Sequence, residues 1–459
     1  MADPREIEVA PRSAARLARS IGPERAAALQ AAAESGRRKL DGRRLWHVNS
    51  TAAGGGVAEM LRLLVGYAMD VGVDTRWVVL DGDVDFFTTT KRIHNRLHGA
   101  PGDTGALGRR EADHYDAILD ANADALERKI QRDDIVILHD PQTAGLVGRL
   151  VQRGVRVVWR CHIGTEVPNE HSKEAWDLLL PRLADCHTFV FSHAAFVPPE
   201  LRQRDVWIIE PSIDPLSPKN RRLPPSRRAD LLTRIGLIPG ETTGTPRAVL
   251  AGAGPFSTHD RLVVQVSRWD RLKDMLGVLH GFAEHVVGHE DARLALVGPA
   301  VDGVTDDLEG TQVLEECLAA WDALPGAARD AVRLVALPMA DVTTNALMVN
   351  AVQHHASVVV QKSIREGFGL TVAEAMWKSR PVIGSAVGGI VNQIPAGTGV
   401  LIDDPLDLAL FGRTLRELLG DPERRMHMGR RARQHIRVHF LSDRHLIDYA
   451  HLVEHMSST

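Results

Sequence analysis

The chain has 459 residues, more than one hydrophobic core usually supports, so two domains are expected. Its net charge of −4 gives no electrostatic case for nucleic acid or an anionic membrane as a partner. Its three cysteines lie far apart, so neither a disulfide framework nor a cysteine metal site is expected. A charged N-terminus and the lack of any run of about 18 apolar residues predict a soluble, cytoplasmic protein.

Residues 1–40 are rich in Ala, Arg and Glu and are predicted to form a helical extension with a break near Gly22-Pro23. A first domain is predicted over 41–215, where apolar runs alternate with helical segments. Runs that stay apolar throughout are typical of parallel strands covered by helices on both faces. The predicted strands of this domain are 45–50, 75–82, 135–140, 155–162, 187–192 and 206–212.

The segment 216–260 is rich in Pro, Gly and Thr and is predicted to be a linker and loop. A second α/β domain is predicted over 261–435, followed by a helical tail over 436–459. Its predicted strands are 261–268, 292–299, 331–338, 356–363, 380–387 and 398–404. In such sheets ligands bind beyond the carboxyl ends of the strands, so the loops there are the first places to look for a site.

A glycine-rich loop, NSTAAGGGVAE, follows the first predicted strand of the first domain, 45–50. Gly54, Gly55 and Gly56 would let a ligand approach the backbone at a helix N-terminus, where N–H groups favour anions. The spacing matches neither the dinucleotide-binding fingerprint nor the P-loop, which argues against an NAD-dependent dehydrogenase. The alternative is a turn that serves only tight packing.

Two basic residues follow the strand at 261–268, in the sequence VSRWDRLKD. Arg268 and Lys273 suit a diphosphate, because a guanidinium binds bidentately and an ammonium acts as a point charge. The alternative is that both are surface charges paired with Asp270 and Asp274.

A Gly-Phe-Gly turn between two glutamates, in EGFGLTVAEAM, follows the strand at 356–363. Gly367 and Gly369 free backbone N–H groups at a helix N-terminus, while Glu366 and Glu374 supply acceptors. A sugar hydroxyl can donate to one such group and accept from the other. Ordinary acidic residues near a helix start would account for a single Glu but not for the turn.

Two polar loops of the first domain also follow strands. His162 lies in WRCHIGTE, and Asp140 and Gln142 lie in HDPQ. A lone histidine is more often structural than catalytic. No H-E-x-x-H motif, serine triad or metal-ligand spacing occurs, so no protein-held metal is expected.

With these residues in hand, the chain resembles the retaining GT-B glycosyltransferases. The segments HVNSTAAGGGVAEML, FFTTTKRIHNRLHG, LHDPQ, WRCHI, PSIDPLSPKN and SIREGFGLTVAEAMWKSRPVIGSAVGGI are similar to the trehalose glycosyltransferring synthases and the related retaining trehalose phosphorylases. The resemblance extends over about 44–435. It implies two Rossmann-like parallel-sheet domains facing a central cleft, with a helical C-terminal tail.

The resemblance also implies roles for the donor side. Arg268 and Lys273 would hold the diphosphate and stabilise the departing nucleotide. Glu366 would accept from glucosyl hydroxyls, and Glu374 would bind the ribose. The N–H groups that donate to the sugar would be those of Gly367, Phe368, Gly369 and Leu370.

In the first domain, the resemblance implies that His162 would lie beside the transferred sugar. Gly55 and Gly56 would border the donor phosphates and Gly54 the acceptor. The remaining candidates for contact with glucose are Asp140, Gln142 and Arg160. The implied catalytic set is Arg268, Lys273, His162 and Glu366.

The activity implied is transfer of glucose from a nucleotide-diphosphate-glucose to glucose, which yields α,α-trehalose. No second carboxylate is placed as a nucleophile, so same-face substitution is favoured over the two-carboxylate scheme of retaining hydrolases. No tightly bound cofactor is expected; a Mg²⁺ accompanying the diphosphate and a homodimer stay open. The alternatives are a trehalose phosphorylase, transfer to a sugar phosphate, glycerate or cyclitol, and a sugar-nucleotide binding protein without activity.

Overall fold

The computed structural model describes residues 2–52, 55–103, 105–240, 248–252, 254–289, 291–301 and 308–458. Its internal contacts divide into two compact units. The first unit is Met1–Ser212 with Phe440–Thr459, and the second is Ile213–His439. Gly54, part of the predicted glycine loop, lies outside the described residues.

The first unit is built on a seven-stranded sheet in the order β1-β3-β2-β4-β5-β6-β7, parallel except for the β1–β3 pair. Its strands are β1 Arg5–Glu6, β2 Leu45–Asn49, β3 Thr75–Val79, β4 Ile135–His139, β5 Arg156–Cys161, β6 Thr188–Phe191 and β7 Val206–Ile208. Its helices before residue 212 are α1 Ala14–Ile21, α2 Pro23–Leu40, α3 Gly56–Asp70, α4 Val84–Leu97, α5 Arg109–Leu126, α6 Val147–Gln152 and α7 Glu170–Leu179.

The second unit repeats this architecture with the strand order β14-β13-β12-β9-β10-β11-β8, parallel except for β8 against β11. Its strands are β8 Val249–Ala251, β9 Arg261–Val266, β10 Ala292–Pro299, β11 Val332–Leu337, β12 Val358–Gln361, β13 Val382–Ser385 and β14 Val400–Ile402. Its helices are α8 Pro225–Ile235, α9 Met275–His285, α10 Leu308–Asp322, α11 Gly326–Ala331, α12 Val342–His355, α13 Leu370–Trp377, α14 Ile390–Gln393, α15 Leu408–Gly420 and α16 Pro422–His439.

All twelve predicted strands are present, each within or at the bounds expected from its apolar run. Strands β2, β4 and β11 are buried at every position, as parallel strands covered on both faces must be. The α/β prediction is therefore confirmed. The two strands that the sequence pattern missed, β1 and β8, have two and three residues and pair antiparallel at sheet edges. Neither carries a long apolar run, because an edge strand has one neighbour and is partly exposed.

The predicted division into extension, domains, linker and tail stays a prediction, but the contacts assign its parts to units. Within 216–260, α8 begins with Pro225 at its first turn, ends at Gly236 in the left-handed region and buries Leu231, Leu232 and Ile235. These residues belong to the second unit. Of the described helices, none is long and apolar enough to cross a membrane.

The chain ends in α17, Ser442–Ser458, which packs on α2 of the N-terminal extension. Arg25 on α2 donates from Nε and Nη2 to the two carboxylate oxygens of Asp443, each at 2.7 Å. Leu452 and Met456 are buried in the same hydrophobic cluster as Leu40. The extension and the tail thus form one helical layer on a face of the first sheet.

Truncation of Leu452 to Ala is expected to lower the free energy of unfolding of the first unit by about 2–5 kcal/mol, because the residue is 1% exposed and its removal leaves a cavity. Urea unfolding followed by circular dichroism measures the change. The matched control is His451→Ala, at the preceding position of α17 and exposed to solvent. Equal midpoints for the two variants would contradict the packing of α17 on the first unit.

Candidate active site

A short 3-10 turn at the carboxyl end of β9 positions the first two predicted site residues. Asp270 accepts from the N–H of Leu272 at 2.8 Å and so starts the turn Arg271–Lys273. Asp270 also accepts from Nη2 of Arg268 at 2.9 Å. Lys273 points from the end of the turn to Glu366, with Nζ 2.8 Å from each carboxylate oxygen.

This Lys273–Glu366 pair joins the loops after β9 and β12 of the second sheet. Both side chains are largely buried, with 16% and 10% of their surface exposed. Ser363 also donates to Glu366, from Oγ to Oε2 at 3.2 Å. Of the two ion pairs considered from sequence, Arg268–Asp270 is present, whereas Lys273 binds Glu366 instead of Asp274.

The Gly-Phe-Gly turn is held by close backbone packing. Gly369 adopts φ 83° and ψ 60° directly before α13, a left-handed conformation that favours glycine. Gly388 lies against the turn so closely that a Cβ there would come within 1.7 Å of the Glu366 carbonyl oxygen. Gly389 donates its N–H to the carbonyl of Gly367 at 3.0 Å. The loop after β13 therefore orients the loop after β12.

Glu374 lies in the second turn of α13, as predicted, and is 2% exposed. Its Oε1 is 3.7 Å from Nζ of Lys219 in the PSIDPLSPKN segment. Lys378, one turn further on, donates to the Glu374 carbonyl at 3.0 Å and to Asn220 Oδ1 at 3.2 Å. Burial lowers the pKa of Lys378 to about 7, although the nearby Glu374 opposes this shift.

A second buried ion pair supports the turn that carries Lys273. Lys362, 1% exposed, donates to the carboxylate of Asp274 and to the carbonyl of Pro405 at 2.6 Å. Asp274 also caps α9 by accepting from the N–H of Gly277 at 3.0 Å. Lys362 was not among the predicted site residues; its signal was a lysine at the end of an otherwise apolar strand.

In the first unit, Gly55 precedes α3 in an extended conformation and Gly56 begins the helix, both exposed. A Cβ on Gly55 would meet no atom within 4 Å. Packing therefore does not require glycine at this position, and the backbone is open to a ligand at the N-terminus of a fifteen-residue helix.

Asp140, directly after β4, has a strained backbone with φ 63° and ψ 175°. This region is almost restricted to glycine and costs on the order of 1–3 kcal/mol. Its carboxylate accepts from the backbone N–H of His162 at 2.8 Å, so the loops after β4 and β5 are joined. Burial raises the pKa of Asp140 to about 7. Gln142 follows in the partly exposed 3-10 turn Pro141–Leu146.

His162 is one end of a chain of three hydrogen-bonded imidazoles, here called the imidazole chain. His162 Nε2 lies 3.1 Å from His139 Nδ1, and His139 Nε2 lies 3.1 Å from His47 Nδ1. His139 and His47 were not among the predicted site residues; His139 ends β4 and His47 lies in the middle of β2. Their signal was a histidine inside an apolar strand, which sequence alone assigns to the core as readily as to a site.

Arg160 is completely buried in the first unit. Its Nη1 donates to His445 Nε2 at 3.2 Å and to the Tyr449 hydroxyl, and its Nη2 donates to the Ile209 carbonyl at 3.0 Å. The structure thus ties the Arg160 side chain to α17 and to the segment after β7, while its backbone carbonyl accepts from the N–H of Asp140 at 2.8 Å. Its contact with an acceptor stays a prediction that this placement does not support.

The described residues include no group of three or more His, Cys, Asp or Glu side chains arranged to hold a metal ion. The three cysteines are buried thiols, and burial raises the pKa of Cys186 and of Cys317 to about 12.

Comparison with known proteins places this geometry in a family. Residues 47–198 match the family described as "Trehalose synthase, N-terminal domain", and 343–435 match "Glycosyl transferases group 1". A trehalose synthase of Rubrobacter xylanophilus is 37% identical over 89% of this chain and 90% of its own length. The chain belongs to the trehalose synthase family. It is therefore a trehalose-related glycosyltransferase.

More distant relatives agree with this assignment. A trehalose phosphorylase of Grifola frondosa is 25% identical over 84% of this chain and 54% of its own length. A UDP-forming α,α-trehalose-phosphate synthase structure from Burkholderia xenovorans superposes with a TM-score of 0.68 at 14% identity, covering 91% of this chain and all of that one. The fold is GT-B, as the resemblance implied.

Acidification below about pH 6.5 is expected to destabilise the first unit. Burial, aided by the Arg160 cation, lowers the pKa of His47 to about 3 and holds the pKa of His139, His162 and His445 well below the ordinary range. The unfolded chain then binds more protons than the folded one, so stability is complete above pH 6.5 and is lost as pH falls.

Asp140 acts with the opposite sign, because its raised pKa makes its contribution grow as pH falls from 7 towards 4. One such group does not outweigh four histidines. Urea unfolding at pH 7.5, 6.5 and 5.5 measures the slope, which His139→Gln should reduce by up to ~1.4 kcal/mol per pH unit. The matched control is His451→Gln, at an exposed position of α17. An unchanged slope in His139→Gln would show that His139 binds its proton equally well in the folded and the unfolded chain.

Proposed function

We propose that the chain transfers glucose from a nucleotide-diphosphate-glucose to glucose with retention, giving α,α-trehalose. The observation that carries the proposal is the Lys273–Glu366 pair beside the N-terminus of α13. It joins an anion-binding ammonium, an acceptor carboxylate and the backbone N–H groups of a glycine turn at one edge of the sheet. Such a set suits a glycosyl diphosphate, whose phosphates need cations and whose sugar hydroxyls need both donors and acceptors.

On the donor side, Lys273 and Arg268 stabilise the charge that develops on the departing diphosphate. Glu366 accepts from glucosyl hydroxyls, N–H groups of residues 367–370 donate to them, and Glu374 binds the ribose. Lys273 is held in place before any ligand binds, because Glu366 and the 3-10 turn both orient it. Groups oriented in advance stabilise a transition state without reorganisation.

On the acceptor side, the proposal assigns Asp140 and Gln142 to the acceptor glucose. His162 would lie beside the transferred sugar, and Gly55 and Gly56 would border the donor phosphates. Retention follows from same-face substitution: the bond from the anomeric carbon to the phosphate oxygen breaks as the acceptor oxygen attacks from that side. The leaving phosphate takes the proton of the acceptor hydroxyl. The nucleotide diphosphate and trehalose are then the products.

The proposal includes small-molecule substrates as the only required partners and no tightly bound cofactor. A Mg²⁺ ion would arrive with the nucleotide, since Asp270 and Glu366 are each bound by a basic side chain of the protein. Glycosyl transfer assayed with EDTA, with Mg²⁺ and with neither separates these cases.

A phosphorolytic activity is the second candidate, favoured by the similarity to trehalose phosphorylases. Inorganic phosphate would then occupy the place of the diphosphate beside Lys273 and Arg268. Transfer to another small acceptor would give a different product, and binding without turnover would give none.

The product distinguishes these candidates directly. The protein is incubated with glucose and ADP-, UDP- or GDP-glucose in the absence of phosphate, and the reaction is followed by NMR. A symmetric α,α-1,1 disaccharide is expected, with the rate ranking the donors. Nucleotide release without this product would indicate another acceptor. Breakdown of trehalose that requires phosphate and no nucleotide would replace the proposal with the phosphorylase.

Replacement of Lys273 by Ala is expected to reduce kcat by about 10²–10³, the effect of removing one group that stabilises developing charge. The matched control is Arg271→Ala in the same 3-10 turn, where the guanidinium binds Glu316 on the surface at 2.6 and 2.9 Å. The control should keep near wild-type activity, because exposed ion pairs contribute little. Single-turnover rates with saturating donor measure the step itself; equal rates for the two variants would remove Lys273 from the mechanism. Arg268→Ala is expected to behave like Lys273→Ala.

A further inference from the structure

Two of the three residues of the imidazole chain, His47 and His139, have no role in the proposed function. His47 lies on β2 and His139 at the end of β4, and both are at most 2% exposed. The rings of His139 and His162 are stacked, with centroids 5.4 Å apart and an angle of 10° between the planes. Two hydrogen bonds of 3.1 Å therefore connect His47 in the interior to His162 at the loop edge.

The three imidazoles are neutral, because burial and the Arg160 cation disfavour a further positive charge. A neutral imidazole has one N–H donor and one acceptor nitrogen. His139 bonds through both nitrogens, so it must donate at one end of the chain and accept at the other. Both hydrogen bonds of the chain consequently donate in the same direction. The nitrogen of His47 that carries the proton therefore determines which nitrogen of His162 carries it.

The environment of His47 decides that direction. Besides its bond to His139, His47 lines a cavity of about 70 Å³ whose walls are mainly apolar side chains of α1, α2, α3 and α17. Within the described residues, no hydrogen bond reaches Nε2 of His47. Among backbone groups a buried N–H without an acceptor is rarer than a buried carbonyl without a donor, and the same preference applied to this imidazole favours an unprotonated Nε2 at the apolar cavity wall. The proton of His47 is accordingly on Nδ1, from which it donates to His139 Nε2.

We propose that His47 and His139 are positioning residues that hold His162 as its Nδ1–H tautomer, so that His162 presents a hydrogen-bond donor to a sugar oxygen. The direction follows ring by ring: His47 Nδ1–H donates to His139 Nε2, and His139 Nδ1–H donates to His162 Nε2. Nδ1 of His162 then carries the proton and has no other hydrogen bond in the described part of the structure. The tautomer is a property of the chain itself, whereas its contact with the sugar rests on the proposed function.

The tautomer of His445 follows from the same reasoning, because His445 is bound by Arg160. An arginine has donors only, so His445 Nε2 must accept from Arg160, and Nδ1 carries the proton that bonds Ser212 Oγ at 3.0 Å. His445 is thereby fixed independently of the imidazole chain and serves as an internal reference for its tautomer.

The test uses two nearly isosteric substitutions of His47. Asn places an amide where Nδ1 of His47 lies and can donate to His139, whereas Leu fills the same space without a donor. Long-range ¹H–¹⁵N NMR of the full chain with ¹⁵N-labelled histidine rings reports which nitrogen carries the proton, and the signals lost in His162→Gln identify His162. Wild type and His47→Asn should both show His162 protonated at Nδ1, while His47→Leu should show a changed or mixed tautomer.

Kinetics provide a second readout. His47→Leu is expected to raise the KM for the nucleotide-diphosphate-glucose about tenfold with little change in kcat, the size of one hydrogen bond, and His47→Asn to restore it. A purely structural role would lower thermal stability without this division between KM and kcat.

Protonation of His162 at Nε2 in the wild type would overturn the proposal, and this outcome needs no variant to fold. An unchanged His162 signal in His47→Leu would overturn the coupling. If the tautomers respond as expected but the KM for the nucleotide-diphosphate-glucose does not, the imidazole chain stands and the contact with the sugar is wrong. If the NMR product assay detects no sugar transfer, the proposed function fails while the tautomer result remains valid.

Discussion

All strand pairs in the described sheets run parallel except one edge pair in each unit, so within a unit the carboxyl ends of these strands lie along one edge. Parallel neighbours cannot be joined by tight turns, and each strand is followed by a loop and usually a helix. Loops from distant parts of the sequence therefore meet at that edge. Lys273 and Glu366, 93 positions apart, bind each other there, and so do the loops of Asp140 and His162.

Polar side chains buried behind these loops hold them in position. In the second unit Lys362 binds Asp274 under the turn of Lys273, and Lys378 binds the backbone of α13. In the first unit the two terminal nitrogens of Arg160 donate to neutral acceptors on α17 and in the segment after β7. Unpaired buried polar groups are costly, so each of these contacts restricts the conformations that its loop can adopt. The strained backbone of Asp140 persists because its surroundings restrict it in this way.

The fold could be predicted from hydrophobic patterns in the sequence, each of which spans one or two adjacent elements. Continuous apolar runs identified twelve strands, and their alternation with helices identified two parallel sheets, because burial on both faces leaves a local signature. The candidate site residues were predicted for the same reason. Arg268, Asp140 and His162 end predicted strands, and Lys273 and Glu366 lie in the loops that follow such strands. The edge strands β1 and β8 left no such signature, since a two- or three-residue partner of an edge needs no apolar run.

The sequence by itself determined the two α/β units, the family and which loops carry polar side chains. Only the tertiary structure decided the partners of those side chains. Arg160 lies in the interior, and Lys273 binds Glu366 instead of Asp274. His162 is hydrogen-bonded to His139, which is hydrogen-bonded in turn to His47. The physical reason is that burial patterns are local in sequence, whereas a hydrogen bond between side chains depends on the positions of two strands that separate segments of the chain supply.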